Sequence, residues 1–123
     1  MKKSLYIILI GTLLSMVSLK LFAQSNKNIV GEWKYEVPSA PQEYQKGSLI
    51  ISEKENQLAG KVKFSENYEI DMREVKFEKK QFTFAIYVEG SYVKVNATLN
   101  DKKELDGKVM TQEGEMKITA KKA

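Results

Sequence analysis

The sequence predicts an all-β protein, a small antiparallel up-and-down barrel of eight or nine strands, with a two-sheet β-sandwich as the alternative. Three observations lead there. From Ile29 onward apolar residues recur at every second position, the period of a strand with one buried face. No stretch keeps a convincing 3.6-residue period, and short polar turns separate nearly all the alternating runs. A meander of this kind has two exposed edges, and closing it into a barrel removes them.

The alternating part is preceded by a different kind of segment. Met1, Lys2 and Lys3 form a basic start, residues 5–19 an apolar run that Lys20 cuts short, and Ala23 suits cleavage before Gln24. That is the layout of a secretory signal peptide, and a membrane span needs about 18–20 apolar residues. We therefore expect residues 1–23 to be removed, 24–28 to form a short flexible N-terminus and 29–123 to fold as one barrel domain. No stable membrane span remains after cleavage, and the expected location is periplasmic or secreted.

In the first strand Trp33, Tyr35 and Val37 share one face, while Glu32, Lys34 and Glu36 share the other. Residues 38–47, the one long connection, hold both prolines of the chain. Further on, Leu58, Gly60, Val62 and Phe64 point inward, as do Tyr68, Ile70 and Met72. The best-defined unit is residues 81–98, "QFTFAIYVEGSYVKVNAT". A two-residue turn at Glu89-Gly90 sets Tyr87 opposite Tyr92, Ile86 opposite Val93, Phe84 opposite Val95 and Phe82 opposite Ala97. A slip of one residue would expel Phe82 and Phe84 from the core. Strands are expected near 30–37, 47–52, 57–65, 68–72, 74–78, 81–88, 91–99, 104–110 and 114–121. A repeated "LAGKV" (58–62) and "LDGKV" (105–109) places a glycine inside two strands, where a small barrel must bend.

Charge and composition narrow the function. The whole chain has 20 Lys and Arg against 16 Asp and Glu, or +4. Lys2, Lys3 and Lys20 leave with the leader and no acid does, so the balance falls to 17 against 16. Nucleic-acid binding loses its electrostatic basis. The chain has no Cys and no His, so no disulfide braces it and the commonest general base and metal ligand are both missing. Glu69 and Asp71 lie on one strand face, about 6.5–7 Å apart at ~3.3 Å per residue, but that face is the solvated one. Asp101, Glu104 and Asp106 lack the dense spacing of calcium loops. No catalytic residue, metal site or cofactor is expected.

The aromatic residues suggest where binding would occur. Trp33, the only tryptophan, is expected to be buried at one end of the barrel, facing the same interior as Phe82 and Phe84. Phe64, Phe77, Phe82 and Phe84 are core by position. Tyr35 and Tyr44 would line the barrel mouth, with the 38–47 connection as its gate. Tyr87 and Tyr92 form a cross-strand pair on the polar face, as a sheet stabiliser or a stacking platform for a glycan or an envelope protein. Arg73, the only arginine, is expected as a solvated turn residue, or else stacked on Trp33.

Gly31-Glu32-Trp33 resembles the first-strand motif of the calycin group, which includes lipocalins, fatty-acid-binding proteins and avidins. Other lipocalin features are missing: there is no T-D-Y-like segment, no arginine on the last strand and no C-terminal helix. A closer likeness covers nearly all of residues 29–121. The order "GEWKYEVP", "GSLII", "LAGKV", "VKFEKKQFTF", "LDGKV" and "GEMKITAK" resembles a small lipocalin-like β-barrel domain of exported bacterial proteins, often appended to secreted hydrolases. The resemblance implies a fold and an export route, with no catalytic residues to carry over. The expectation is an exported non-catalytic protein that holds a small, partly apolar ligand, with Trp33, Tyr35, Tyr44, Tyr87 and Tyr92 as candidate contacts. The alternative is an accessory protein working through its outer surface on a glycan or an envelope partner.

Overall fold

The computed structural model describes residues 26–123; the signal peptide expected at 1–23 lies outside the described residues. Nine antiparallel strands follow one another: β1 (Gly31–Glu36), β2 (Lys46–Lys54), β3 (Gln57–Ser65), β4 (Tyr68–Asp71), β5 (Arg73–Glu78), β6 (Gln81–Val88), β7 (Ser91–Leu99), β8 (Glu104–Thr111) and β9 (Gly114–Lys122). They form one sheet in the order β4-β3-β2-β1-β9-β8-β7-β6-β5. The chain therefore runs up and down, and β1 is joined to β9. The barrel stands and the sandwich does not.

The two edges of this sheet, β4 and β5, are consecutive in sequence. Met72 between them donates its backbone N–H to Gly60 O at 2.8 Å, which extends the β3–β4 ladder. The chain then turns onto β6, with Glu74 at φ 53° and a register shift between Arg73 and Lys76. A bulge of this type bends and twists a strand. Here it carries residues 68–78 from one edge of the sheet to the other and nearly closes the barrel.

The expected β6–β7 register is present pair for pair, from Phe82 opposite Ala97 to Val88 opposite Ser91. Glu89 and Gly90 both have positive φ, 50° and 83°, as a primed hairpin turn requires. Two more tight turns have positive φ at both central residues, Glu55-Asn56 and Lys79-Lys80. The first lets β2 run to Lys54, beyond the expected end at 52. Gly107 lies so close to β7 that an added Cβ would sit 2.1 Å from Asn96 O. At Gly60 an added Cβ would strike Met72 Sδ at 2.5 Å. Both strand glycines are thus close-approach positions.

From Asn26, in the stretch expected to be a flexible N-terminus, the chain makes a turn, with Ile29 and Val30 N–H groups donating to Asn26 O. Ile29 at its end is fully buried. The core is a single cluster in which Trp33, Phe82, Phe84, Ile29 and Ile51 are the largest fully buried side chains. Phe64 and Phe77 do not join it completely; both are half-buried against it. Tyr68, expected inward, is 39% exposed. The β3–β4 register shifts between Lys63 and Ser65, which leaves Tyr68 beside the turn, where its ring packs on Phe64 with centroids 5.2 Å apart.

Candidate functional site

Connections in an up-and-down barrel alternate between its two ends, and here the ends differ. One end receives the N-terminal turn, the C-terminus and the β2–β3, β5–β6 and β7–β8 turns. Trp33 closes it at 1% exposure. Its indole N–H donates to Ile29 O at 2.9 Å, so the one polar atom of the ring is satisfied where it is buried. Lys122, opposite Trp33 in the β1–β9 ladder, holds its ammonium 5.5 Å from the ring centroid. Arg73 does not reach Trp33. The β4–β5 bend places it on the barrel wall, with its guanidinium carbon 5.1 Å from the ring centroid of Tyr87.

The other end is open. A cavity of about 650 Å³ enters the barrel there. Leu49, Val62, Ile118 and the rung Phe84–Val95–Val109–Met116 line it, with Ile86, Val88 and Val93 nearer the mouth and Ser91, Thr111, Gln112 and Glu113 at the opening. Ile86, Val88 and Val93 line the half toward this end, whereas Trp33, Phe82, Leu99 and Leu105 fill the sealed half beside the small Ala97 and Gly107. Trp33 is not among the lining residues, because it belongs to the sealed end.

Residues 38–45 arch over the opening. Val37 N–H donates to Gln45 O at 2.7 Å, and Tyr44 N–H to Pro41 O at 2.8 Å within the 3-10 turn Gln42–Tyr44. The Gln45 side-chain amide donates to Ala40 O at 3.0 Å. These bonds make the connection a folded strap. Tyr35 joins strap to barrel: its ring lines the cavity and its hydroxyl donates to Tyr44 O at 3.1 Å. Burial pushes the Tyr35 hydroxyl pKa well up. Tyr44 also lines the cavity and meets Phe64 edge-on, with centroids 4.9 Å apart. Burial, followed by the charge of Glu89 across the mouth and then by Tyr68 and Glu43, pushes its hydroxyl up to about 12. Tyr44, Phe64 and Tyr68 thus form an aromatic rim. Alternation marks Phe64 as inward but does not mark it as a rim residue.

Tyr87 and Tyr92 lie on the outer wall, 47% and 40% exposed, with their rings 5.5 Å apart. Tyr92 donates to Glu74 at 3.2 Å. Burial, ahead of this bond and the Glu74 charge, raises its pKa. The structure therefore brings Tyr35 and Tyr44 together, sets Trp33 at the opposite end and puts Tyr87 and Tyr92 outside. Of the paired acids, Glu69 sits 3.6 Å from Lys61, while Asp101 and Glu104 face Lys80 and Lys121. Among the described residues no helix is long and apolar enough to cross a membrane. No family model matches the chain, and no curated protein is significantly similar to it.

Proposed function

We propose that the protein is an exported, non-catalytic binding protein that holds a small, partly apolar ligand in the open half of a lipocalin-like barrel. The observation that carries this reading is the predominantly apolar cavity of about 650 Å³ beneath the 38–45 strap, within the ~300–1,000 Å³ usual for small-molecule sites. Tyr35 and Tyr44 would contact the ligand, and Trp33 would hold the far end shut. Export, to the periplasm or the medium, rests on the leader at residues 1–23. The neutral dye N-phenyl-1-naphthylamine, fluorescent in apolar surroundings, tests the site. It should bind with one-to-one stoichiometry, and Val93→Trp, which fills the cavity from its wall, should abolish binding while the protein stays folded. Dye binding unchanged by Val93→Trp would remove the reading.

A second reading places function on the outer wall, as an accessory protein contacting a glycan or an envelope protein. The exposed Tyr87–Tyr92 pair, with Arg73 over one ring, favours it. Replacing both tyrosines by Ser should then weaken retention on a glycan array or on isolated envelope. Retention unchanged by the double substitution would rule this surface out.

A further inference from the structure

The two ends of the barrel differ in charge as well as in packing. Four connections meet at the open end: residues 37–45, 66–67, 89–90 and 112–113. Each carries one glutamate, namely Glu43, Glu66, Glu89 and Glu113, and none carries a lysine or arginine. All four glutamates are exposed, and none takes part in the ion pairs of the described residues. On the strands just below, Glu36 faces Lys46, Glu115 faces Lys108, and Glu69, paired with Lys61, stands across the ladder from Lys63. The sealed end is the reverse, with Lys27, Lys79, Lys80, Lys102 and Lys103 in its turns against Glu55 and Asp101. The mouth is therefore a negative ring around an apolar hole, and the barrel has a dipole pointing along its axis.

An acidic ring alone selects nothing in particular. This one surrounds a cavity that can take an apolar body, and it shares the mouth with the Tyr44–Phe64–Tyr68 rim. Aromatic faces attract cations, and ammonium groups above all. The charges of Glu89 and Glu43 help to hold back ionisation of the Tyr44 hydroxyl, so the negative field reaches the opening itself. A carboxylate head would meet repulsion at this rim, and a neutral head would gain nothing from it.

We infer that the ligand is a cationic amphiphile, an apolar chain or ring bearing one protonated or quaternary amine. The chain fills the cavity, and the amine stays at the rim among Tyr44, Glu43 and Glu89. This inference rests on the cavity reading above and sharpens it by naming the head group.

Three probes with the same chain separate the two: dodecyltrimethylammonium and dodecanoate below their micelle concentrations and dodecanol below its solubility limit, displacing N-phenyl-1-naphthylamine from the purified protein. At low salt the ammonium should bind about tenfold more tightly than the alcohol, and the carboxylate more weakly still, as a one-sign cleft dictates. Raising the ionic strength to about 0.5 M should close most of the gap, since these charges are exposed. The combined Glu43→Gln, Glu66→Gln, Glu89→Gln and Glu113→Gln variant should lose the preference for ammonium and bind the alcohol as before. The matching Lys→Gln changes at 79, 80, 102 and 103 should leave the order of the three probes unaltered. Equal affinity for all three probes, or a preference for the carboxylate, overturns the inference and leaves the cavity reading standing. Failure of even the alcohol to displace the dye overturns both.

Discussion

The sealed and open ends of this barrel are built from the same strands with the same inward alternation, and they differ in how completely the inward side chains fill the interior. On β8, Leu105 faces the sealed end at 2% exposure, while Val109, one turn of the ladder further on, borders the cavity. On β6, Phe82 is fully buried and Val88 is a partly buried wall residue. On β1, Trp33 closes the sealed end and Tyr35 walls the cavity. Stability and binding are thus assigned to opposite ends of one sheet. A packed end supplies the rigidity that lets the other end remain hollow, because each inward side chain missing above is offset by contacts below.

Substitutions at the two ends should break this comparison or sharpen it. Trp33→Ala should have the largest effect, about 3–5 kcal/mol of stability, the range for deleting a fully buried large aromatic side chain. That is a large part of a domain's total of ~5–15 kcal/mol. Leu105→Ala should follow at about 2–5 kcal/mol. Val109→Ala should cost about 1 kcal/mol or less, because one side of Val109 already faces space and has few partners to lose. Urea unfolding of the three variants measures this directly. Equal losses at Leu105 and Val109 would mean that the two ends are packed alike.

Much of this architecture is legible in the sequence, and what is legible is local or periodic. The Glu89-Gly90 turn sets the register of β6 against β7, and Trp33 shares its phase with the apolar face of the first strand. The glycines of the two "GKV" strands sit where neighbouring backbone or Met72 approaches closely. The remainder depends on closing the ring. Alternation says that Phe64, Phe77, Phe82 and Phe84 all point inward, but not at which height each sits. Height decides that Phe84 is buried while Phe64 rims the mouth. Arg73 reaches Tyr87 because of a bulge at Glu74, which an ordinary "REV" stretch does not announce. Lys122 reaches Trp33 only because β9 returns beside β1. The candidate site was half visible for the same reason. Tyr35 and Tyr44 could be picked out by position, whereas the acidic mouth emerges only once four distant turns are known to share one end.

The smallest expected effect is confined to alkaline pH and should separate the ends in time. Tyr35 and Tyr44 keep their protons more tightly in the folded protein than in the unfolded chain, where a phenol titrates near 10.0. Raised acid pKa values of this kind contribute stability that is complete below the unfolded value and is lost as pH rises through the folded one. For Tyr44 the window runs from 10.0 to about 12, and for Tyr35 it begins at the same point. Opening the strap frees the Tyr35 hydroxyl from Tyr44 O and lets it ionise as in the unfolded chain, so rising pH above 10.0 should favour the opened strap first. Dye binding at the mouth should therefore fall as pH passes about 10, while Trp33, which reports the sealed end, keeps its blue emission. Tyr35→Phe lacks both the ionisable group and the tie to the strap. It should bind the dye more weakly than the native protein at neutral pH, and its binding should depend less on pH above 10. If dye release and the red shift of Trp33 coincide throughout this range, the barrel opens as one unit and the division of labour between its ends is wrong.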